Sequence, residues 1–466
     1  MRSRLDWKYA LGLVLTDAGF DFSVLSEFRT RLVVGNAEHL LLETMLTRFE
    51  ARALLKARGK QRTDATHVVA AVRTLTRVEL VAETMTHTLN VVATVAPDWL
   101  KGWVPTAWYA RYEKRIDEYP LPKKEKERVA LAQQIGLDGH QLLAAIGRPD
   151  APDCLPVVPA IETMRVIWLQ HFYINAEGDL QWRQSGNLPP AAVMISSPHD
   201  VEARYATKGN NTHWIGYKVH LTETCDDDQP HLITNVQTTT ATQPDQRIIK
   251  PLYQALDHTQ RLPGEHLIDM GYAATDRLLH SRKKYNIEQV CPMRPDNTWQ
   301  ATTEGAFDIS YFSIDWKRQV VTCPQGQQSV YWQSSPRNNR PKFLVKFDSA
   351  DCQGCPQKSK CTRSRLQRRE LIFSPEQDHL TLQNARQIQK TKAFKKRYGK
   401  RAGIEGTIAQ GTNAFGLRRC RYRGQTKTHL QHVLTACAIN LTRVINWLLE
   451  RPRAQTTKTR FAALAA

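Results

Sequence analysis

The sequence lacks the features that mark several common protein classes. It contains no run of about 18 or more apolar residues, which excludes a helix that spans a membrane. The zinc-protease pattern HExxH, the Walker phosphate loop, the dinucleotide-binding pattern GxGxxG and the serine-hydrolase pattern GxSxG are all absent. No internal repeat with a period of roughly 20–50 residues is present, which excludes a solenoid or a propeller.

Acidic residues are outnumbered by basic ones. The 466 residues include 65 Lys and Arg but only 45 Asp and Glu, which gives a formal net charge of +20. A protein with this charge attracts polyanions, and nucleic acid is the commonest partner of that kind. The alternative is a cationic surface that contacts only solvent. We therefore expect binding to nucleic acid and not to a membrane.

Cysteine is scarce and its spacing does not suggest disulfides. The count of nine is odd, and four cysteines follow the spacing C-x28-C-x2-C-x5-C. This usage favours a reducing cytoplasm. Thiolates at short spacing bind Zn²⁺ tetrahedrally, so the pattern predicts a structural zinc in a ribbon-like module, the alternative being four reduced thiols without metal. The candidate ligands are Cys323, Cys352, Cys355 and Cys361.

The order of predicted elements indicates an α/β protein with a mixed sheet flanked by helices. Helical and strand periodicities alternate along the chain, and the abrupt start in LDWKYALGL suggests that a native segment precedes it. The predicted units are an N-terminal helical DNA-binding or assembly domain (1–58), a first core strand (59–73), a helical insertion (74–190), a core (191–296), an inserted Cys-rich module (297–375), C-terminal core helices (376–450) and a loose tail (451–466).

Three segments supply carboxylates of the kind that phosphodiester cleavage with two Mg²⁺ ions requires. Asp64 lies among β-formers in RTDATHVV, where an Asp is costly without a partner, although a turn Asp is the alternative. Asp269 closes the apolar strand HLI, where a helix N-cap is the alternative. Glu405 is the sole acid of the basic stretch 392–423, and its alternative is an ion pair with Arg401 four residues earlier.

Together these segments resemble the DDE transposases of bacterial insertion sequences, the group with an RNase H-like core. Asp64–Thr66 resembles the Asp-x-Thr of the family's first strand, and Asp269–Tyr272 resembles its Asp-x-Gly-Tyr motif. Tyr398, Arg401 and Glu405 reproduce the spacing of its Tyr-Arg-Glu motif. The segments DVEARYATKG and WIGYKVHL are similar to the second-strand region of the family.

The resemblance implies roles for individual residues. Asp64, Asp269 and Glu405 are expected to be catalytic and to hold two Mg²⁺ (or Mn²⁺) ions. A Lys normally stands seven places after the Glu, but this chain has Thr412 there. An arginine from the segment that follows is expected to supply that phosphate contact. The expected DNA-binding residues are Tyr398, Arg401, Arg418, Arg419 and Arg421.

The first carboxylate has a rival. Asp200, in SSPHDVEARY, lies nearer to the predicted second strand, and Asp179 is a more distant candidate. Related enzymes carry a similar acidic segment after the catalytic Asp-x-Thr, which favours Asp64. That choice requires the helical stretch 74–190 to be an insertion after the first strand.

The resemblance implies a transposase that acts as a homo-oligomer on double-stranded DNA. It is expected to bind the terminal inverted repeats of its element, to cleave DNA in a metal-dependent reaction and to transfer the strand to target DNA. Its expected location is the bacterial cytoplasm, at the nucleoid when bound to DNA. The alternatives are a catalytically inactive or truncated relic, and a DNA-binding regulator without nuclease activity.

Overall fold

The computed structural model describes residues 4–114, 121–209, 211–337 and 340–452, together with residues 461 and 464. The strands in these ranges are β1 (Arg58–Val69), β2 (Phe172–Ile174), β3 (Leu180–Trp182), β4 (Arg204–Lys208), β5 (Thr212–Thr224), β6 (Ile233–Thr240), β7 (Pro263–Ile268), β8 (Glu288–Val290), β9 (Ser313–Asp315), β10 (Val320–Thr322), β11 (Tyr331–Ser334), β12 (Phe343–Lys346) and β13 (Glu370–Phe373).

The α-helices of the same ranges are α1 (Leu5–Ala10), α2 (Phe22–Val34), α3 (Leu40–Glu50), α4 (Arg77–Val95), α5 (Pro97–Trp103), α6 (Thr106–Tyr112), α7 (Glu125–Ile146), α8 (Pro159–His171), α9 (Ile249–His258), α10 (Thr275–Tyr285), α11 (Trp299–Thr302), α12 (Ser349–Gln353), α13 (Lys358–Cys361), α14 (Glu376–Ile388), α15 (Lys392–Gly399), α16 (Gly403–Phe415) and α17 (Gln425–Leu448). The protein is therefore α/β, as the sequence predicts. None of the described helices is both long enough and apolar enough to cross a membrane.

A mixed sheet of six strands forms the centre of the molecule. The long strand β5 runs antiparallel to β1 on one side, and pairs with β4 and then β6 along its other side. Beyond β1 the strands β7 and β8 are parallel to it. In the β1–β7 register Thr63 pairs with Ile268, so the end of β7 lies beside the middle of β1.

Helices cover both faces of this sheet. Side chains alternate along β1, so that Val68 joins a core with α3, α16 and α17, while Ala65 packs into the core built from α9 and α10. Leu42 and Leu46 of α3 are fully buried in the first of these cores. The two apolar layers explain why the strands carry hydrophobic residues on both faces.

The helices between β1 and β4 have a core of their own. Its buried members all lie between residues 80 and 195, most of them on α4–α8 and on the hairpin of β2 and β3. Helix α4 begins with a capping box, in which the Thr76 side chain accepts from the backbone of Glu79 and the Glu79 carboxylate accepts from the backbone of Thr76. This long segment thus leaves the sheet after β1 and returns to it at β4.

The cysteine-rich segment also packs around a separate, small core. It contains a two-stranded sheet of β9 and β10 and a three-stranded sheet of β11, β12 and β13. Six buried apolar residues form its centre: Phe312, Val321, Val345, Phe347, Leu371 and Phe373. The tail expected at 451–466 lies mostly outside the described residues.

Candidate active site

Two aspartates meet because their strands are parallel neighbours. Thr63 pairs with Ile268, and Asp64 and Asp269 are the next residues on the two strands. Asp64 therefore lies mid-strand on β1, whereas Asp269 lies just beyond the end of β7, with its side chain accepting from the Met270 backbone at 2.7 Å. Asp64 is half-buried and points to the face of the sheet that carries α16 and α17, as Arg62 and Val68 do.

A helical turn brings a third acid to the same place. Tyr398 lies in the last turn of α15, a 3₁₀ turn at Lys400–Ala402 carries Arg401, and α16 starts at Gly403. Glu405 lies in the first turn of α16 and is 69% exposed. Ile404 and Ile408 of the same helix are buried against the sheet, whereas Glu405 lies beside this apolar face and remains exposed.

Arg401 connects the three carboxylates. Its Nη2 donates to Asp64 Oδ2 at 2.6 Å and lies 3.9 Å from Asp269 Oδ2. Its Nη1 lies 3.8 Å from Glu405 Oε1. One guanidinium thus stands within 4 Å of acids that are far apart in the sequence.

Burial changes the pKa values of the ionisable side chains in this cluster. Burial raises the pKa of Asp64, and the attraction of Arg401 offsets that effect only in part. Burial disfavours the charge of Arg401, but Asp64, Tyr398 and Asp269 together outweigh it and leave the pKa of Arg401 raised. Burial also raises the pKa of Tyr398 to about 12, so its phenol keeps its proton at neutral pH. The cluster therefore combines negatively and positively charged side chains that are only partly exposed to solvent.

A buried ion network, not anticipated from the sequence, supports the third acid. Glu223 on β5 is fully buried and accepts from Arg62 Nε at 2.7 Å and from Arg443 Nη1 at 2.7 Å. Thr407 of α16 donates to the same carboxylate at 2.5 Å. Arg62 also donates to the Lys400 carbonyl. The network links β1, β5 and α17 to the start of the helix that carries Glu405.

Of the arginines expected to bind DNA, Arg418 lies against the Asp-x-Thr motif. Its Nε donates to Thr66 Oγ1 at 2.8 Å, while its carbonyl accepts from the Val69 backbone at 2.8 Å. Arg419 and Arg421 are exposed in the same loop. The half-buried Thr412 donates to the Ile408 carbonyl within its own helix.

The rival Asp200 has different surroundings. It is buried, and its Oδ1 accepts from the hydroxyl of Tyr217 at 2.6 Å and from the Ala203 backbone at 3.3 Å. Its other oxygen is buried without a hydrogen-bond partner. The structure thus brings Asp64, and not Asp200, together with Asp269 and Glu405 around Arg401.

The four cysteines of the C-x28-C-x2-C-x5-C pattern line one cavity of about 30 Å³, beside Phe347 and Arg369. All four are half-buried free thiols. Burial, with the other thiols close by, raises the pKa of Cys361 to about 11. Within the part of the chain that the structure describes, no group of three His, Cys, Asp or Glu side chains is placed to hold a metal ion, here or at the carboxylates.

A comparison with known protein families covers one part of this site. The model described as "Transposase DDE domain" matches residues 322–445. Residues 322–445 therefore resemble the DDE domain of transposases. The matched part is about a quarter of the chain, and includes Glu405, Arg401 and the four cysteines but neither Asp64 nor Asp269. No curated protein matches the chain.

Proposed function

We propose that the chain is a DDE transposase that cleaves and joins DNA through Asp64, Asp269 and Glu405 on an RNase H-like core. A mid-strand Asp, a second Asp at the end of the neighbouring parallel strand and an acid on a packed helix are the arrangement that such chemistry needs. The observation that carries the proposal is the approach of all three acids to within 4 Å of one guanidinium.

The oxygen donors of this site suit a hard divalent cation, Mg²⁺ or Mn²⁺. Asp64, Asp269 and Glu405 would hold two such ions. When bound, the ions activate the attacking oxygen and stabilise the leaving one. Asp64 is half-buried and Glu405 is exposed, so we infer that DNA approaches the site from the side of Glu405.

The surrounding cations would position the DNA. Arg418 stands beside Thr66, two residues from Asp64, and takes the phosphate contact that Thr412 cannot make. Arg419 and Arg421 extend this basic surface, and the protonated Tyr398 can donate to a phosphate oxygen. Sequence-independent contacts of this kind fix the duplex over the carboxylates.

The reaction begins with attack of water on the phosphodiester at the end of the element, which leaves a 3′-hydroxyl and a 5′-phosphate. That hydroxyl then attacks a phosphodiester of target DNA, so that one bond forms as another breaks. Two ends must be paired for coupled transfer, so we infer a homo-oligomer assembled on the terminal inverted repeats. The origin inferred is a bacterial insertion sequence, with the enzyme in the cytoplasm.

The test is Mn²⁺- or Mg²⁺-dependent cleavage of a duplex that carries the ends flanking the gene. Asp64→Asn, Asp269→Asn and Glu405→Gln are each expected to abolish cleavage while the protein still binds the duplex. Asp200→Asn is the matched control, because its carboxylate contacts Tyr217 and not the Arg401 cluster. It should cleave as the wild type does.

The outcomes separate the alternatives. Loss of cleavage in Asp200→Asn but not in Asp64→Asn would make Asp200 the first carboxylate. If the wild-type protein binds the duplex but does not cleave it, the result would support a regulator or an inactive relic.

For the Cys-rich module we propose a structural zinc ion. Cys323, Cys352, Cys355 and Cys361 line one cavity although they are spread over a long segment. The module has a core of only six buried apolar residues, and small cores of this size are commonly stabilised by a metal. Its thiols would have to draw closer together around the ion, since no metal-holding group is preformed among the described residues.

A further inference from the structure

The guanidinium of Arg401 occupies the space between the three carboxylates. Its contacts to Asp64, Asp269 and Glu405 are those that a cation in the site would make. The side chain is only 14% exposed, so it is held within the cluster and not extended into solvent. An arginine and a divalent ion cannot share this space without strong repulsion between like charges.

The hydrogen-bonding groups of Arg401 are also not all used in this position. Its Nε is buried and has no hydrogen-bond partner. Of its contacts, only the bond to Asp64 has hydrogen-bond length, since those to Asp269 and Glu405 are 3.9 and 3.8 Å. A phosphate offers a guanidinium two parallel hydrogen bonds, a better match than three divergent carboxylates.

We propose that Arg401 is an internal counterion that keeps divalent ions out of the carboxylate site until a DNA phosphate draws its guanidinium away. This inference rests on the proposed function of the three acids as metal ligands. It adds that binding of DNA and binding of metal are coupled through one side chain. Because such coupling is reciprocal, DNA raises the affinity for metal by the factor by which metal raises the affinity for DNA.

The test measures Mn²⁺ binding to the full chain by calorimetry and by the spin-resonance signal of free Mn²⁺, so no cleavage is required. In the absence of DNA, Arg401→Gln should bind Mn²⁺ roughly tenfold more tightly than the wild type, since it removes one competing partly buried ion pair. Arg401→Lys keeps the charge and should bind as weakly as the wild type. A short duplex of arbitrary sequence should tighten Mn²⁺ binding of the wild type more than that of Arg401→Gln.

Arg397→Gln is the matched control. Arg397 lies one turn earlier, is also paired with two acids, and contacts Glu265 and Glu288 instead of the site carboxylates. Its substitution should leave Mn²⁺ binding unchanged. Thermal unfolding gives a second readout, because Mn²⁺ should raise the melting temperature of Arg401→Gln more than that of the wild type.

Equal Mn²⁺ affinity in the wild type and Arg401→Gln, with or without the duplex, would overturn the counterion role and leave the cleavage assay to judge the three acids. Failure of every form to bind Mn²⁺, even with the duplex, would overturn both proposals. Tighter Mn²⁺ binding in Arg401→Gln together with absent cleavage by the wild type would support the counterion role and count against the proposed reaction.

Discussion

The guanidinium of Arg62 lies directly over Gly403. A Cβ built on Gly403 would overlap the terminal atoms of Arg62, which is itself buried and bonded to Glu223. Only glycine at this position lets the first turn of α16 approach β1 closely. Because Glu405 lies two residues further along the same turn, this approach also determines where the third acid stands.

Substitution of Gly403 by Ala should therefore damage both stability and the site. We expect the free energy of unfolding to fall by roughly 1–3 kcal/mol, as for overpacking elsewhere. The rate of DNA cleavage should fall by more than the loss of stability alone explains, because α16 must shift and carry Glu405 with it. Denaturant unfolding and the cleavage assay measure the two effects.

Gly406→Ala is the control for this change. It lies one turn later on the same helix, and an added Cβ there meets no atom within 4 Å. Alanine should stabilise the helix by roughly 0.5–1 kcal/mol at this position. If both substitutions changed stability and cleavage equally, the close approach of Gly403 to Arg62 would not be what positions α16.

The α/β class was predictable because strand and helix periodicities are local properties of the sequence. The position of Asp64 on a strand and of Asp269 after one could likewise be proposed from neighbouring residues. The Glu223 network could not, because its members come from segments far apart in the chain. The sequence also suggested an ion pair of Arg401 with Glu405, whereas the shorter contact of Arg401 is to Asp64, 337 residues away.

Glu223 should be among the most sensitive residues of the molecule. Substitution by Gln leaves the buried Arg62 and the half-buried Arg443 facing a neutral group, and we expect a loss of roughly 3 kcal/mol in the free energy of unfolding. Denaturant unfolding at neutral pH measures it. Glu27→Gln is the control, because Glu27 pairs only with exposed Arg31, and its loss should be below about 0.5 kcal/mol.

Because of the Glu223 network, we expect the stability of the folded protein to fall as the pH is lowered. Burial acts to raise the pKa of Glu223, but Arg443, Arg62 and the hydrogen bond from Thr407 together outweigh it and hold the pKa below its ordinary value. The resulting stability is present above the unfolded-state pKa of about 4.3 and is lost as the pH falls through the folded-state value. The wild type should lose more stability than Glu223→Gln on acidification below that unfolded-state value. Parallel pH profiles would argue against a charged Glu223.

The thiol cluster predicts a measurable metal content. Protein purified without chelators should contain about one zinc per chain by elemental analysis, as for other four-thiolate sites. Cys352→Ser should lose it and make the module more sensitive to proteases. Cys154→Ser, which changes an exposed cysteine outside the cluster, should retain the zinc. A wild type free of zinc would leave the four side chains as half-buried thiols without a metal.

Arg418 should contribute to DNA affinity through phosphate and not through sequence. Its guanidinium has one hydrogen bond, to Thr66, and stands beside the strand that carries Asp64. Arg418→Ala should weaken binding to all duplexes alike and lower the slope of log affinity against log salt by about 1, because one counterion fewer is released.

Thr412→Lys tests the same phosphate contact by adding a cation, whereas Arg418→Ala removes one. Thr412 is half-buried on the helix that carries Glu405, seven residues beyond it. If Arg418 replaces the lysine that related enzymes carry there, Thr412→Lys should restore binding in the Arg418→Ala background and add less to the wild type. Restoration would show that the two positions serve one phosphate. Equal gains in both backgrounds would mean that they act independently, because non-additivity is what reveals a shared partner.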